Sequence, residues 1–293
     1  MTRLTRLLVL IAALGALAPG VASALTSDKA VARMVAFGGS CANCELSGRK
    51  LAGARFIGAD FTGAALVGSD LRGARFHGSA FGNADLSRAD MSDSSMMGAS
   101  FDGANLSDAV LRSAEANGAD FARADLSGAD LRELEGGGSN FASANLQEAR
   151  LDEAELNGVN FSRANARGAS FREAELTAAN LQSGRFDNAS FREAELDMAS
   201  LRGATFAGAD FRGASLDRTD IGGVDLSRAR GLNQSQLDDA CADSGTKVPS
   251  GLTAKTCAGR RVVVRVRAPP APPAPPVPPA PPAGPRYLAP LAD

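Results

Sequence analysis

The chain has 293 residues, no Trp, one Tyr and one His, and a formal net charge of −2 at pH 7. A set this poor in aromatic and imidazole side chains argues against an ordinary enzyme of that size, and the length allows one large domain or two smaller ones. The near-neutral charge hides a division: Cys41–Arg230 carries 28 acidic against 20 basic residues, whereas Cys257–Asp293 carries five Arg and one Asp.

At the N-terminus, Arg3 and Arg6 precede the apolar run LLVLIAALGALA (Leu7–Ala18), followed by Pro19-Gly20 and the A-x-A site Ala22-Ser23-Ala24. This order predicts a secretory signal peptide over 1–24, because the run falls short of the ~20 apolar residues that span a bilayer. The expected destination of the mature chain is the periplasm or the exterior, with no integral membrane segment after cleavage. Residues 25–45 are expected to form an N-terminal cap segment.

From Leu46 a five-residue clock runs without a slip to Leu226. It has 37 positions, of which 34 carry Leu, Phe, Met or Ile; Ala116, Gly136 and Ala166 are the exceptions. Ala fills 26 of the positions two residues earlier, with Asp, Asn or another polar residue between. A 3.6-residue period cannot stay in phase with five, and a period of two would invert each repeat. The pattern predicts short extended segments, each placing one small and one large side chain inward and ending in a turn. Such a unit cannot bury its apolar side alone and must stack into a solenoid.

The repeats ADLSG (Ala124–Gly128), ANLSD (Ala104–Asp108) and ADFRG (Ala209–Gly213) resemble those of the pentapeptide-repeat proteins, whose consensus is A-(D/N)-L-x-x. The resemblance implies an all-β fold, a right-handed quadrilateral parallel β-helix over 46–230 with four five-residue faces per coil and about nine coils. Phe61, Phe81, Phe101, Phe121, Phe141 and Phe161 recur at twenty residues and should stack as one column of rings. The phenylalanines then pass to Phe171, Phe191 and Phe211 on the opposite face. In the column through Ala116 and Gly136, Leu134 stands at the usual Ala position and is expected to fill what Gly136 leaves empty.

Outward positions carry the candidate interaction edge. Glu115, Glu135, Glu155, Glu175 and Glu195 recur at twenty, as do Glu133, Glu153, Glu173 and Glu193. Arg132, Arg172 and Arg192, with Arg112 and Arg212, form a row beside them that Asp152 breaks, and are expected to offset much of the glutamate repulsion. An acidic stripe of this kind can bind a basic protein partner, or divalent cations through carboxylate oxygens. His77 lies outward with no nucleophile fixed nearby by any motif, and no phosphate loop or metal-ligand cluster appears. No catalytic residue, cofactor or resident metal is therefore expected, and no nucleic acid as partner.

Cys41 and Cys44 stand at the head of the solenoid and Cys241 and Cys257 beyond its exit. Opposite ends of a rod ~45 Å long are too far apart to be bridged, so structural disulfides 41–44 and 241–257 are the favoured reading, with redox or metal chemistry the alternative. Residues 231–259 are expected to form a C-terminal cap, with a short helix capped by Asn233 and Gln236. The segment 260–293 joins RRVVVRVR (Arg260–Arg267) to a proline-rich run and is expected to be a disordered tail or a ligand for a partner. Three functions follow: an exported scaffold that binds protein through the Glu/Arg edge; a DNA mimic that binds gyrase, as the resemblance implies for some family members; or a divalent-cation-binding envelope protein. Pairing of two copies through the solenoid ends is a further expectation.

Overall fold

The computed structural model describes residues 38–256. The signal peptide, the proline-rich tail and Cys257 lie outside the described residues. Within them, isolated parallel bridges recur every five residues, and each joins a residue to the one twenty further on: Asp60↔Ala80, Ala65↔Asp85, Asp70↔Asp90, Arg75↔Ser95. Four bridges per turn of the chain make a four-sided solenoid, and twenty residues make one coil. The ladder begins at Ser40, one repeat ahead of Leu46, because Cys41 already takes an inward position and is buried.

One repeat accounts for all its backbone donors. Phe61 N donates to Ala80 O on the next coil (2.7 Å), Gly63 N to Gly82 O (2.9 Å), and Ala65 N to Cys44 O on the coil before (2.9 Å). Ala64 N closes the turn onto Phe61 O at 2.9 Å. The remaining N–H, that of Thr62, donates to the Asp60 carboxylate at 2.9 Å. This is the physical basis of the A-(D/N)-L motif: the short polar side chain satisfies the one donor the coil-to-coil ladder leaves over.

The turn also explains why Gly recurs two places after the inward residue. That position has positive φ in repeat after repeat (Gly63 +67°, Gly103 +67°, Gly128 +68°), the left-handed region in which a side chain is disfavoured. Non-glycine residues nevertheless take it at several rungs, among them Ala178 at 58°.

The core is the interior of the square. Phe61 to Phe161 form a continuous stack with successive ring centroids 4.7–5.1 Å apart. Phe171, Phe191 and Phe211 stack on the opposite face at 5.0 and 5.2 Å. Two shorter stacks were not anticipated: Phe56 on Phe76 at 5.5 Å, and Phe186 on Phe206 at 5.3 Å, the latter above Ala166 in the neighbouring column. Leu134 is fully buried as expected, against the space over Gly136.

Beyond the last repeats lies a short helix, α1 (Gln234–Asp238), with a capping box: Gln236 N donates to Asn233 Oδ1 (3.1 Å) and Asn233 N to Gln236 Oε1 (2.8 Å). Leu237 is buried, and Gln236 Nε2 donates to the carbonyls of Phe211 and Ala214, both at 2.8 Å. At the opposite end Cys41 is bonded to Cys44 across one turn, their Cα atoms 5.1 Å apart. Cys241 is also disulfide-bonded.

Candidate interaction edge

The five glutamates 115, 135, 155, 175 and 195 occupy the bridge position just before the inward residue, and each is bridged to the next. Their side chains are exposed, one above another at the strand spacing of ~4.8 Å. The second row, Glu133, Glu153, Glu173 and Glu193, sits in the turn before it at φ of 57–60°. The two rows are brought to one edge of the solenoid, as the spacing requires.

These bridge-position glutamates do not do the work that Asp and Asn do elsewhere. On other faces the bridge-position side chain accepts from its own turn: Asp85 from Ser87 N (3.0 Å), Asp120 from Ala122 N (3.1 Å), Asn160 from Ser162 N (3.1 Å). None of Glu115, Glu135, Glu155, Glu175 or Glu195 makes that bond. At Glu175 the turn donor Thr177 N instead goes to Asn157 Oδ1 of the coil before (3.2 Å), and Asn157 Nδ2 donates to Glu175 Oε2 (2.8 Å). Elsewhere on the edge, Ser113 Oγ donates to Glu133 Oε2 at 3.0 Å.

The arginine row departs from expectation. Arg132 Nε donates to Asp130 Oδ1 at 2.7 Å, and its Nη2 pairs with Asp130 Oδ2. Arg212 makes the same fork with Asp210, Nε to Oδ1 at 2.9 Å. In both cases the guanidinium holds the carboxyl below its ordinary range by hydrogen bonding to its charged form. The cause is local: residues two apart on an extended segment share a side, so the nearest carboxylate is on the arginine's own coil. Arg112, Arg172 and Arg192 follow Val110, Ser170 and Ser190 and have no such carboxylate. Among the described residues none of these three forms an ion pair, and the buried Nε atoms of Arg112 and Arg192 have no hydrogen-bond partner. The nine glutamates likewise form no ion pair among the described residues. The edge is therefore three adjacent rows, two of glutamate and one of arginine interrupted by Asp152, in which Arg132 and Arg212 are held by aspartates of their own coils.

A second polar cluster escaped the sequence. His77 Nε2 lies 2.7 Å from Ser95 Oγ in a groove of about 290 Å³ lined also by Gly73, Arg75, Asp93 and Glu115. The two residues are eighteen apart, which places the residue after one inward position beside the residue before the next. The groove does not add an oxyanion hole from its backbone: the N–H groups of Gly73, Ser95 and Met96 already donate to the carbonyls of Ser92, Ala74 and Glu115. Among the described residues no group of three or more His, Cys, Asp or Glu is arranged to hold a metal ion.

A family model described as pentapeptide repeats matches in eight copies, all within residues 40–230. No curated protein matches the chain. Among solved structures, HetL, a pentapeptide-repeat protein involved in heterocyst differentiation regulation from the cyanobacterium Nostoc sp. strain PCC 7120, is 29% identical with a TM-score of 0.63. That match covers 71% of this chain and 91% of HetL. The fluoroquinolone-resistance protein QnrB1 is 22% identical over 61% of this chain and 92% of its own, with a TM-score of 0.32. A pentapeptide-repeat protein of the Arabidopsis thaliana thylakoid lumen is 27% identical over 37% of this chain and 68% of its own, with a TM-score of 0.28. The last two superpose too loosely to add to the argument. The shared fold is a right-handed quadrilateral β-helix.

Proposed function

This chain belongs to the pentapeptide-repeat family, and from that premise we propose that it is an exported, non-catalytic scaffold that binds a protein partner through its Glu/Arg edge. One observation carries the reading. The glutamates of the bridge row have taken the place of turn-capping Asp and Asn over five successive coils, without gaining an ion partner. A solenoid needs only that its outward positions be soluble and its turn donors satisfied. Two like-charged rows held ~4.8 Å from rung to rung cost about 1 kcal/mol per neighbouring pair in water, so a purely structural edge gains nothing from them.

The N-terminal order of charge, apolar run and A-x-A site supports export, and the bond between Cys41 and Cys44 fits an oxidising compartment. We read residues 46–230 as about nine coils and α1 as the closure of their exit, since Gln236 occupies two carbonyls of the last repeats. A DNA-mimic role is less well supported, because the arginine row interrupts the acidic face.

The test is affinity capture from the envelope fraction with the wild-type chain and with Glu153→Lys/Glu155→Lys/Glu173→Lys/Glu175→Lys. Loss of specific partners in the variant is expected. An unchanged set of partners, from a variant with unchanged circular dichroism, would rule the edge out.

A further inference from the structure

The bridge column that carries the glutamates changes sign near the head of the rod. It runs Arg55, Arg75, Ser95, Glu115, Glu135, each bridged to the next. Ser95 is short and buried between two long exposed side chains, and it forms the floor of the groove of about 290 Å³. On one flank Gly73 stands a coil below Asp93 and has nothing within 4 Å of where a Cβ would be. On the other, His77 Nε2 lies 2.7 Å from Ser95 Oγ. Met97, two residues after Ser95 and so on its side of the extended segment, is 45% exposed. Opposite charges line this groove without meeting: among the described residues Arg75, Asp93 and Glu115 form no ion pair.

We propose that the groove binds a free α-amino acid with an apolar side chain, as the zwitterion. Its carboxylate meets the Arg75 guanidinium, its ammonium meets Glu115 and Asp93, and its side chain lies on Met97. This site stands or falls apart from the protein-binding reading of the edge, because Glu153, Glu155, Glu173 and Glu175, on which that reading is tested, lie outside the groove.

Charge selects a dipolar ligand. A simple anion in the groove would meet two carboxylates as well as Arg75, and a simple cation would meet Arg75. A ligand with one charge of each sign, lying along the rod, satisfies both ends. Guanidinium and carboxylate match as a planar two-pronged pair, and the guanidinium of Arg75 stays charged at every working pH. Length selects a single residue. Arg75 and Glu115 are two coils apart, about 9.6 Å. A hydrogen bond of about 2.8 Å at each end leaves about 4 Å between the ligand's charged atoms. The nitrogen and the carboxylate oxygens of an α-amino acid are roughly 3 Å apart, whereas those of a dipeptide are roughly 6 Å or more. Size agrees, since the groove stands at the lower limit of the ~300–1,000 Å³ that ligand pockets span.

The experiment is isothermal titration calorimetry of the mature chain, with its tail, against L-leucine. Saturable binding with Kd below about 1 mM is expected, and no saturable heat up to about 10 mM overturns the proposal. L-leucine methyl ester lacks the anion, N-acetyl-L-leucine lacks the cation, and L-leucyl-L-leucine holds the two too far apart. Each should bind at least about tenfold more weakly, and equal binding of any of the three overturns the assignment. Arg75→Gln should weaken leucine at least about tenfold and leave the methyl ester, which has no carboxylate, unchanged; equal weakening of both overturns the site. Glu115→Gln should behave likewise with N-acetyl-L-leucine as the indifferent ligand, and Met97→Ser should weaken leucine but not glycine. Glu148→Gln, an exposed acid outside the groove, should leave every affinity unchanged. A loss there equal to that in Glu115→Gln would mark the binding as non-specific and overturn the site. The analogue series needs only the wild type, so a variant that fails to fold does not decide the outcome. Failure of all leucine binding would leave the scaffold reading standing.

Discussion

Leu134 and Gly136 share one space: a Cβ placed on Gly136 would stand 3.3 Å from Leu134 Cδ2 and 2.9 Å from Leu156 Cδ2. The inward residue of this repeat is missing, and the position two before it supplies the volume. Gly136→Ala should therefore destabilise by about 1–3 kcal/mol through overpacking, and Leu134→Ala by about 2–5 kcal/mol through the cavity it leaves. The double variant Leu134→Ala/Gly136→Leu restores the usual order and should recover much of the loss. Thermal unfolding of the three variants checks this; additive losses would show that the two sites do not share volume.

The turn position isolates a backbone effect. Gly158 has φ of +68° with nothing within 4 Å of its missing Cβ, whereas Ala178 sits in the same place with φ of 58°. Gly158→Ala should cost about 1 kcal/mol with no steric clash, and Ala178→Gly should stabilise by a similar or smaller amount, offset by the extra freedom glycine gives the unfolded chain. Shifts of opposite sign in denaturation midpoint are the expected result.

Neutralising the ladder should stabilise the rod. Glu155 is bridged to Glu135 below and Glu175 above, so Glu155→Gln removes two repulsions of about 1 kcal/mol each in water. The gain should shrink in about 1 M NaCl, where the screening length is roughly 3 Å. Asp120→Ala is the contrast. Its Oδ1 accepts from Ala122 N (3.1 Å) and Asn140 Nδ2 (2.8 Å), so its loss should destabilise by about 1 kcal/mol or more. If Glu155→Gln and Asp120→Ala moved the melting temperature in the same direction, the functional distinction between the two faces would fail.

Acid should unfold the solenoid from its aspartates. Asp130 and Asp210 are held below the ordinary range by hydrogen bonds from Arg132 and Arg212, and Asp60 by the hydrogen bond from Thr62. A carboxyl whose folded pKa lies below its unfolded value contributes stability fully above the unfolded pKa of about 3.9 and loses it as pH falls through the folded one. Melting temperature at constant ionic strength should hold steady from pH 7 to about 5 as far as these groups are concerned, then fall below about 4. Asp130→Asn should reduce the acid-side slope, and an unchanged slope would remove that pair from the account.

Much of the molecule is legible in one dimension. The clock from Leu46 to Leu226 marks the buried side chains, the twenty-residue return of Phe61 to Phe161 marks the coil, and Leu134 marks the repair at Gly136. The stack of Phe186 on Phe206 could have been found by the same sorting, since Ala166, Phe186 and Phe206 lie in one column. The pair His77 and Ser95 was readable only with a rule the fold itself supplies. A separation of eighteen brings side chains together across coils, as it does again for Asn157 and Glu175 and for Gln182 and Ser200.

The sequence by itself determined which residues face inward, how many make a coil, and that glutamate and arginine gather along one edge. All three follow from periodicity, because a repeating backbone ladder admits one phase and carries it unchanged from coil to coil. Only the tertiary structure decided which charges meet. Arg132 and Arg212 turn to the aspartates of their own coils, Arg112, Arg172 and Arg192 find none, and the glutamates stay unpaired. The two-residue spacing of Asp130 and Arg132, and of Asp210 and Arg212, allows such a fork. Whether it forms, and whether a glutamate finds an arginine, depends on side-chain direction and on distances of a few ångströms, which no repeat period encodes.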